Sequence, residues 1–139
     1  MLSNLDRTPA VKHLLIINVI VFIVMNYVPQ IGQYYDLLTL QYFDKPSFAL
    51  WQPITSMFLH EGFMHILWNM LFLYWFGRIL EELIGSGKVL AIYIISGLAG
   101  ALAFFLGANL LSLGIGSYAL GASGAIMGII LAAATLAPH

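Results

Sequence analysis

Apolar residues in this chain are gathered into four long runs, separated by one longer segment and two short ones. A helix that crosses a bilayer needs about 20 predominantly apolar residues. The runs therefore predict an all-α, polytopic membrane helix bundle with four transmembrane helices in one domain, residues 1–139. The segment between the first two runs, residues 29–62, is predicted to be an external loop. The four predicted helices cover residues 11–28, 63–80, 89–111 and 118–136.

The composition supports a membrane protein. Hydrophobic residues make up 61% of the chain and charged residues 8%, with a mean hydropathy of +0.94, whereas soluble domains are about 25% charged. A soluble domain of 139 residues could not bury so much apolar surface. The chain has no cysteine, which excludes disulfides and thiolate metal ligands, and its net charge of -1 gives no indication of a nucleic-acid partner.

The basic residues predict the orientation in the membrane. Arg7 and Lys12 precede the first helix, Arg78 and Lys88 flank the turn between the second and third, and the external loop holds only Lys45. Positive residues concentrate on the cytoplasmic side. The N-terminus and the turn at 78–88 are therefore predicted to be cytoplasmic, so the second and fourth helices both run inward from outside.

A polar cluster, "HEGFMHILWNM", lies at the outer mouth of the second predicted helix. His65 and Asn69 are four residues apart and share one helix face, while His60 is about 140° away on a regular helix and is predicted to face elsewhere. Three interpretations are open: hydrogen bonds between helices, a zinc site suggested by His60–Glu61, and donors for a developing negative charge. The zinc interpretation is disfavoured because the second histidine comes one residue too late.

A second polar position, Ser123, lies in "LGASGAIMGIIL" among Gly121, Gly124 and Gly128. Small residues often let membrane helices approach closely, so a packing role is one interpretation. However, the inward direction of both helices places Ser123 and the His65–Asn69 pair about 5–12 Å inside the same outer boundary. A shared site is the alternative, with Ser123 facing a cavity within one side-chain length of that pair.

Three motifs together, "GASG" at 121–124, "HEGFMHILWN" at 60–69 and "EELIGSGK" at 81–88, resemble the rhomboid family of intramembrane serine proteases. Trp51 matches an aromatic position of the family's first external loop, although Gln52 stands where an arginine often follows. The resemblance covers the chain from about residue 10 to its end. It implies hydrolysis of peptide bonds in or near the transmembrane segments of membrane-protein substrates, without metal or cofactor. The expected location is a bacterial inner membrane.

The resemblance also implies a role for each site residue. Ser123 is the expected nucleophile, and His65, Asn69 and the backbone N–H of Ser123 are the expected oxyanion hole. His60 matches a supporting position whose role is undefined. Gly121 and Gly124 are expected to pack the fourth helix into the centre of the bundle.

The general base is the missing component, since a serine hydroxyl needs one to react at neutral pH. In the rhomboid family the base is a histidine on the sixth helix, whereas His139 lies about 24 Å along a helix from Ser123 and cannot reach it. We therefore expect these 139 residues to be an inactive portion of a longer enzyme. The alternatives are an inactive relative that binds membrane helices and a structural membrane protein.

Overall fold

The computed structural model describes residues 2–42, 45–109 and 118–138. Long helices dominate it, and short elements occupy the external loop. The elements follow in the order α1 (Leu2–Leu5), α2 (Pro9–Tyr27), α3 (Pro29–Gly32), α4 (Tyr35–Leu38), β1 (Leu40–Gln41), α5 (Gln52–Thr55), a 3₁₀ turn (Ser56–Phe58), α6 (Phe63–Ile84), α7 (Ser86–Asn109), β2 (Tyr118–Ala119) and α8 (Ser123–Leu136).

Three helices are long and apolar enough to cross a membrane: α2, α6 and the part of α7 at Ser86–Gly107. No more than 33% of any of these spans is buried inside the protein, so most of their apolar surface faces outward, as lipid contact requires. Helix α8 has 14 residues, which extend about 21 Å against a hydrocarbon core of about 30 Å. The predicted helical membrane bundle is therefore confirmed, whereas the predicted count of four spanning helices is not.

The start of α8 differs from the sequence prediction. The fourth helix was expected from residue 118, but Tyr118–Ala119 forms β2, which pairs antiparallel with β1 in the external loop. Helix α8 then begins at Ser123. The backbone of Gly121, with a φ of +104°, cannot continue a right-handed helix, so it separates Tyr118–Ala119 from α8. The predicted end of the third helix, residue 111, lies outside the described residues.

The buried carboxylate of Glu81, near the end of α6, binds the start of α2. Its two oxygens accept hydrogen bonds from the N–H groups of Ala10 (2.8 Å) and Val11 (2.9 Å), and the Ser86 hydroxyl donates to the same side chain. The first N–H groups of a helix have no acceptor within it, and a carboxylate also complements the positive helix end. This contact places the start of α2 and the α6–α7 turn at one end of the bundle.

Glycines let α7 and α8 approach closely. A Cβ added at Gly100 would lie 3.7 Å from the Cα of Gly124, and a Cβ at Gly128 would collide with the Ser96 side chain. These two contacts fix an antiparallel register in which Ser123 is level with Ala101. Because α7 continues to Asn109, Ser123 lies about 12 Å along the bundle from the C-terminal end of α7.

Gln52, a fully buried side chain, organises the external loop. Its Oε1 accepts a hydrogen bond from the N–H of Gln41 (3.2 Å), and its Nε2 donates to the carbonyl oxygens of Leu37 (3.3 Å) and Ser47 (2.8 Å). The indole N–H of the preceding Trp51 donates to the same Leu37 oxygen at 2.9 Å. These bonds hold β1 and α5 together beside the start of α8.

Candidate functional site

Ser123 is the first residue of α8, and its position depends on Gly121. The backbone of Gly121 has a φ of +104°, a conformation that glycine adopts without the steric cost of a side chain. Its N–H donates to the Ser56 carbonyl oxygen at 2.7 Å, which attaches the entry of α8 to the 3₁₀ turn. The N–H of a first-turn residue has no acceptor inside its helix. Ser123 can therefore offer both its hydroxyl and its own N–H to a ligand.

The exposed Ser123 lines a cavity of about 190 Å³, whose lining includes neither His65 nor Asn69. The cavity lies between the external loop, the upper part of α7 and the start of α8. The side chains around it are small or apolar, apart from the hydroxyls of Ser56 and Ser123. Its lining also includes Leu40, Met57, Gly97, Gly100, Ala101, Leu120, Gly121, Gly124 and Ala125.

His65, in the first turn of α6, packs against the residue two positions before Ser123. A Cβ added at Gly121 would lie 2.9 Å from Cε1 and 3.0 Å from Nε2 of the imidazole. Any larger residue at Gly121 would therefore displace the ring. The N–H of Glu61 donates to His65 Nδ1 at 3.4 Å. With Nδ1 as the acceptor, Nε2, the nitrogen that faces the entry of α8, is left as the donor of the ring.

Asn69 follows one turn further along α6 and is 93% buried, with a relative exposure of 7%. Within the residues that the structure describes, its Nδ2 has no hydrogen-bond partner. Buried amides are normally paired, and an unpaired one needs an explanation. The Nδ2 group of Asn69 is therefore a donor that remains available to a ligand.

His60 lies at the entrance of α6, as predicted, but it faces His65 instead of pointing away from it. Its ring is fully buried and its centroid is 5.0 Å from that of His65, with the two ring planes at 65°. The prediction that it faces away was wrong because it extended helical geometry to residue 60, whereas α6 begins at Phe63. Burial, reinforced by His65 and opposed by the Phe58 backbone, lowers the pKa of His60 from 6.5 to about 4. Among the described residues, no group of three potential ligands that could hold a metal includes this pair.

The sequence analysis missed Ser56, whose carbonyl fixes Gly121 and which also lines the cavity. Periodicity carries no signal for it, because its role comes from a contact between segments far apart in the chain. The candidate residues Ser123, His65, Asn69 and His60 come from the start of α8, the first two turns of α6 and the loop before them.

Similarity to known proteins is found over the part of the chain that contains the candidate site. A family model described as Rhomboid domain matches residues 47–139, which include every candidate site residue. The chain belongs to the rhomboid family. Among similar rhomboid relatives are the Rhomboid protease GlpG proteins of Salmonella newport, Salmonella heidelberg and Salmonella typhi, each 40% identical over 52 residues. That match spans 37% of this rhomboid chain and only 19% of the length of those relatives. The family resemblance inferred from the sequence motifs is thus confirmed.

Proposed function

We propose that this chain carries the nucleophile and the oxyanion hole of an intramembrane serine endopeptidase. Its substrates are membrane proteins, cleaved in or near their transmembrane segments. The observation that carries the proposal is the contact of the His65 imidazole with Gly121, beside a cavity that Ser123 lines. The family membership and the printed name of the GlpG relatives, rhomboid protease, support it.

In the proposed reaction the Ser123 oxygen attacks the carbonyl carbon of the scissile peptide bond. A carbon–oxygen bond forms, and the electron pair of the carbonyl double bond moves onto its oxygen. The N–H of Ser123, Nε2–H of His65 and Nδ2–H of Asn69 donate hydrogen bonds to that oxyanion. Each such donor contributes about 10²–10³ in kcat. The carbon–nitrogen bond then breaks, and the amine leaves with the proton that the base removed from Ser123. Water next attacks the acyl-enzyme, which breaks the ester bond, releases the carboxylate product and restores the Ser123 hydroxyl.

The base that accepts the Ser123 proton is proposed to come from outside the described residues. His13 is exposed near the start of α2, at the Glu81 end of the bundle. His60 is buried with its pKa lowered to about 4, and the proposal assigns His65 to the oxyanion. Proton transfer by a positioned base contributes about 10²–10⁴ in rate, so the 139 residues by themselves are expected to lack measurable cleavage.

The proposed setting is a bacterial inner membrane with the start of α2 and the α6–α7 turn in the cytoplasm. The four-to-one distribution of basic residues supports this orientation. It places the cavity on the outer side, where water can enter it.

A cleavage assay in proteoliposomes tests the function. It compares the 139-residue chain with the product of the complete coding region, each given a membrane substrate with a reporter. In the active form, Ser123→Ala is expected to abolish cleavage, and Asn69→Ala to lower kcat by about 10²–10³. Ser47→Ala and Asn26→Ala are matched controls, since both side chains are exposed, and they should leave cleavage unchanged.

Full activity of Ser123→Ala would contradict the proposal and favour a packing role for this serine. Full activity of the 139-residue chain would show that the base lies within it. If no form cleaves any substrate but one binds transmembrane helices, the chain is a helix-binding protein.

A further inference from the structure

His60 is a buried imidazole without an evident partner. Its relative exposure is 0%, and neither ring nitrogen has a hydrogen-bond partner of normal geometry among the described residues, although the Phe58 backbone interacts with the ring and raises its pKa slightly against the effect of burial. Burying a polar group in this way costs free energy. The lowered pKa, about 4, keeps the ring uncharged at neutral pH. An apolar side chain would avoid this cost, so the surroundings of the ring must explain its role.

The neighbouring ring of His65 needs orientation. A histidine ring has a broad, roughly two-fold preference about its last torsion, and a half-turn would exchange Nε2 with Cε1 at Gly121. The hydrogen bond that opposes this exchange, from the Glu61 N–H to Nδ1, is long at 3.4 Å. A bond of that length is weak. A second restraint is therefore required if Nε2–H is to remain a donor.

The ring of His60 can supply the second restraint. It meets the His65 ring in a T-shaped arrangement at 5.0 Å and 65°, within the range in which aromatic pairs attract. Because His60 is enclosed by protein on all sides, it cannot move aside when His65 rotates.

We propose that His60 is a positioning residue, whose buried ring holds the His65 ring so that Nε2–H stays directed at the oxyanion. This inference rests on the proposed function, because it assigns His60 a role in the same reaction. His60 acts only through His65 and does not contact the reacting atoms.

A double-mutant cycle on the active form separates this role from a general effect on stability. Complete loss of one oxyanion donor lowers kcat by about 10²–10³, so His60→Ala should lower kcat by roughly tenfold or more with little change in KM. In a His65→Ala background the same substitution should lower kcat no further, since coupled residues are not additive. His60→Phe keeps a ring at this position and should recover most of the kcat.

Leu59→Ala is the matched control, because Leu59 is equally buried (1% exposed) and adjacent in sequence. Its effect should be the same with His65 present or absent. The proposal would be overturned if the fold-losses in kcat of His60→Ala and His65→Ala multiply in the double mutant. Equal losses of kcat in His60→Ala and His60→Phe would overturn it as well.

Nitrogen NMR of the imidazoles gives a readout that does not depend on catalysis. In the parent and in His60→Phe, His65 should show one tautomer, with the proton on Nε2. His60→Ala should show exchange between tautomers or ring orientations. An unchanged His65 spectrum in His60→Ala would overturn the positioning role even if the protease proposal holds. If only the protease proposal fails, the expected nitrogen NMR spectra of His65 remain the same.

Discussion

Replacement of Glu81 by alanine should destabilise the bundle far more than the same change at its neighbour Glu82. Glu81 is 4% exposed and accepts hydrogen bonds from the N–H groups of Ala10 and Val11. Hydrogen bonds to charged groups contribute about 1.5–3 kcal/mol each. Because the two bonds share one carboxylate and water can reach a helix end at the membrane surface, the lower value applies. The expected loss is about 3 kcal/mol.

Glu82 provides the matched control. Its side chain is 53% exposed and lies 3.6 Å from the Arg78 guanidinium, one helical turn away. Such exposed pairs contribute about 0.3–0.5 kcal/mol, so Glu82→Ala should change stability by no more than this. Glu81→Gln keeps the shape and one acceptor oxygen, and it should fall between, with a loss of about 1.5 kcal/mol.

Unfolding by SDS, followed by tryptophan fluorescence, measures these differences. Fluorescence is preferred to far-UV circular dichroism, because membrane helices persist in SDS after their tertiary contacts are lost. Equal midpoints for Glu81→Ala and Glu82→Ala would refute the reasoning, since the hydrogen bonds to α2 would then contribute no net stability.

Two further predictions concern orientation and pH. The chain contains no cysteine, so single cysteines can be introduced at Lys45 and Ile84. In intact cells, an impermeant thiol reagent should label position 45 strongly and position 84 weakly. The reverse labelling pattern would refute the proposed orientation. The pKa of His60 falls from 6.5 to about 4 on folding, so between these pH values the unfolded chain binds more protons than the folded one. The free energy of unfolding therefore has its full value above pH 6.5 and decreases as the pH falls to 4. The slope is about 1.4 kcal/mol per pH unit, or on the order of 3 kcal/mol in total. SDS unfolding at several pH values measures how steeply the free energy of unfolding depends on pH. This dependence should be weaker in His60→Phe and unchanged in the exposed control His13→Phe. Equal slopes in both variants would exclude His60 as the source of the pH dependence.

Apolar runs predicted the long helices, because lipid imposes a length and a composition that one sequence displays directly. The start of α8 could not be predicted in this way. Tyr118 and Ala119 belong to a run that is apolar enough for a helix, yet they pair with Gln41 and Leu40. That pairing joins distant segments, and local hydrophobicity does not reveal it.

The same distinction applies to the site. The spacing of His65 and Asn69 predicted a common face of one helix, and both lie in α6. The direction of His60 was mispredicted because the chain before Phe63 is not helical. The hydrogen bond between Glu81 and Ala10 joins residues 71 positions apart in sequence. The motif "EELIGSGK" therefore indicated the family, but it could not predict this hydrogen bond.

The depth of Ser123 has an electrostatic consequence for the site. Ser123 lies about 12 Å from the C-terminal end of α7, which in the proposed orientation is below the outer membrane surface. A permanent charge at the centre of a membrane helix is expensive, and translocon measurements assign about 2.5–3.5 kcal/mol to a central arginine or lysine. The hydroxyl of Ser123 and the amide of Asn69 carry no net charge, and each presents a dipole. The resting site thus avoids the cost of a buried ion. In the proposed reaction, the low dielectric of the membrane would strengthen the interaction of those dipoles with the negative charge that develops on the substrate, so depth would penalise a charged resting site and favour a charged transition state.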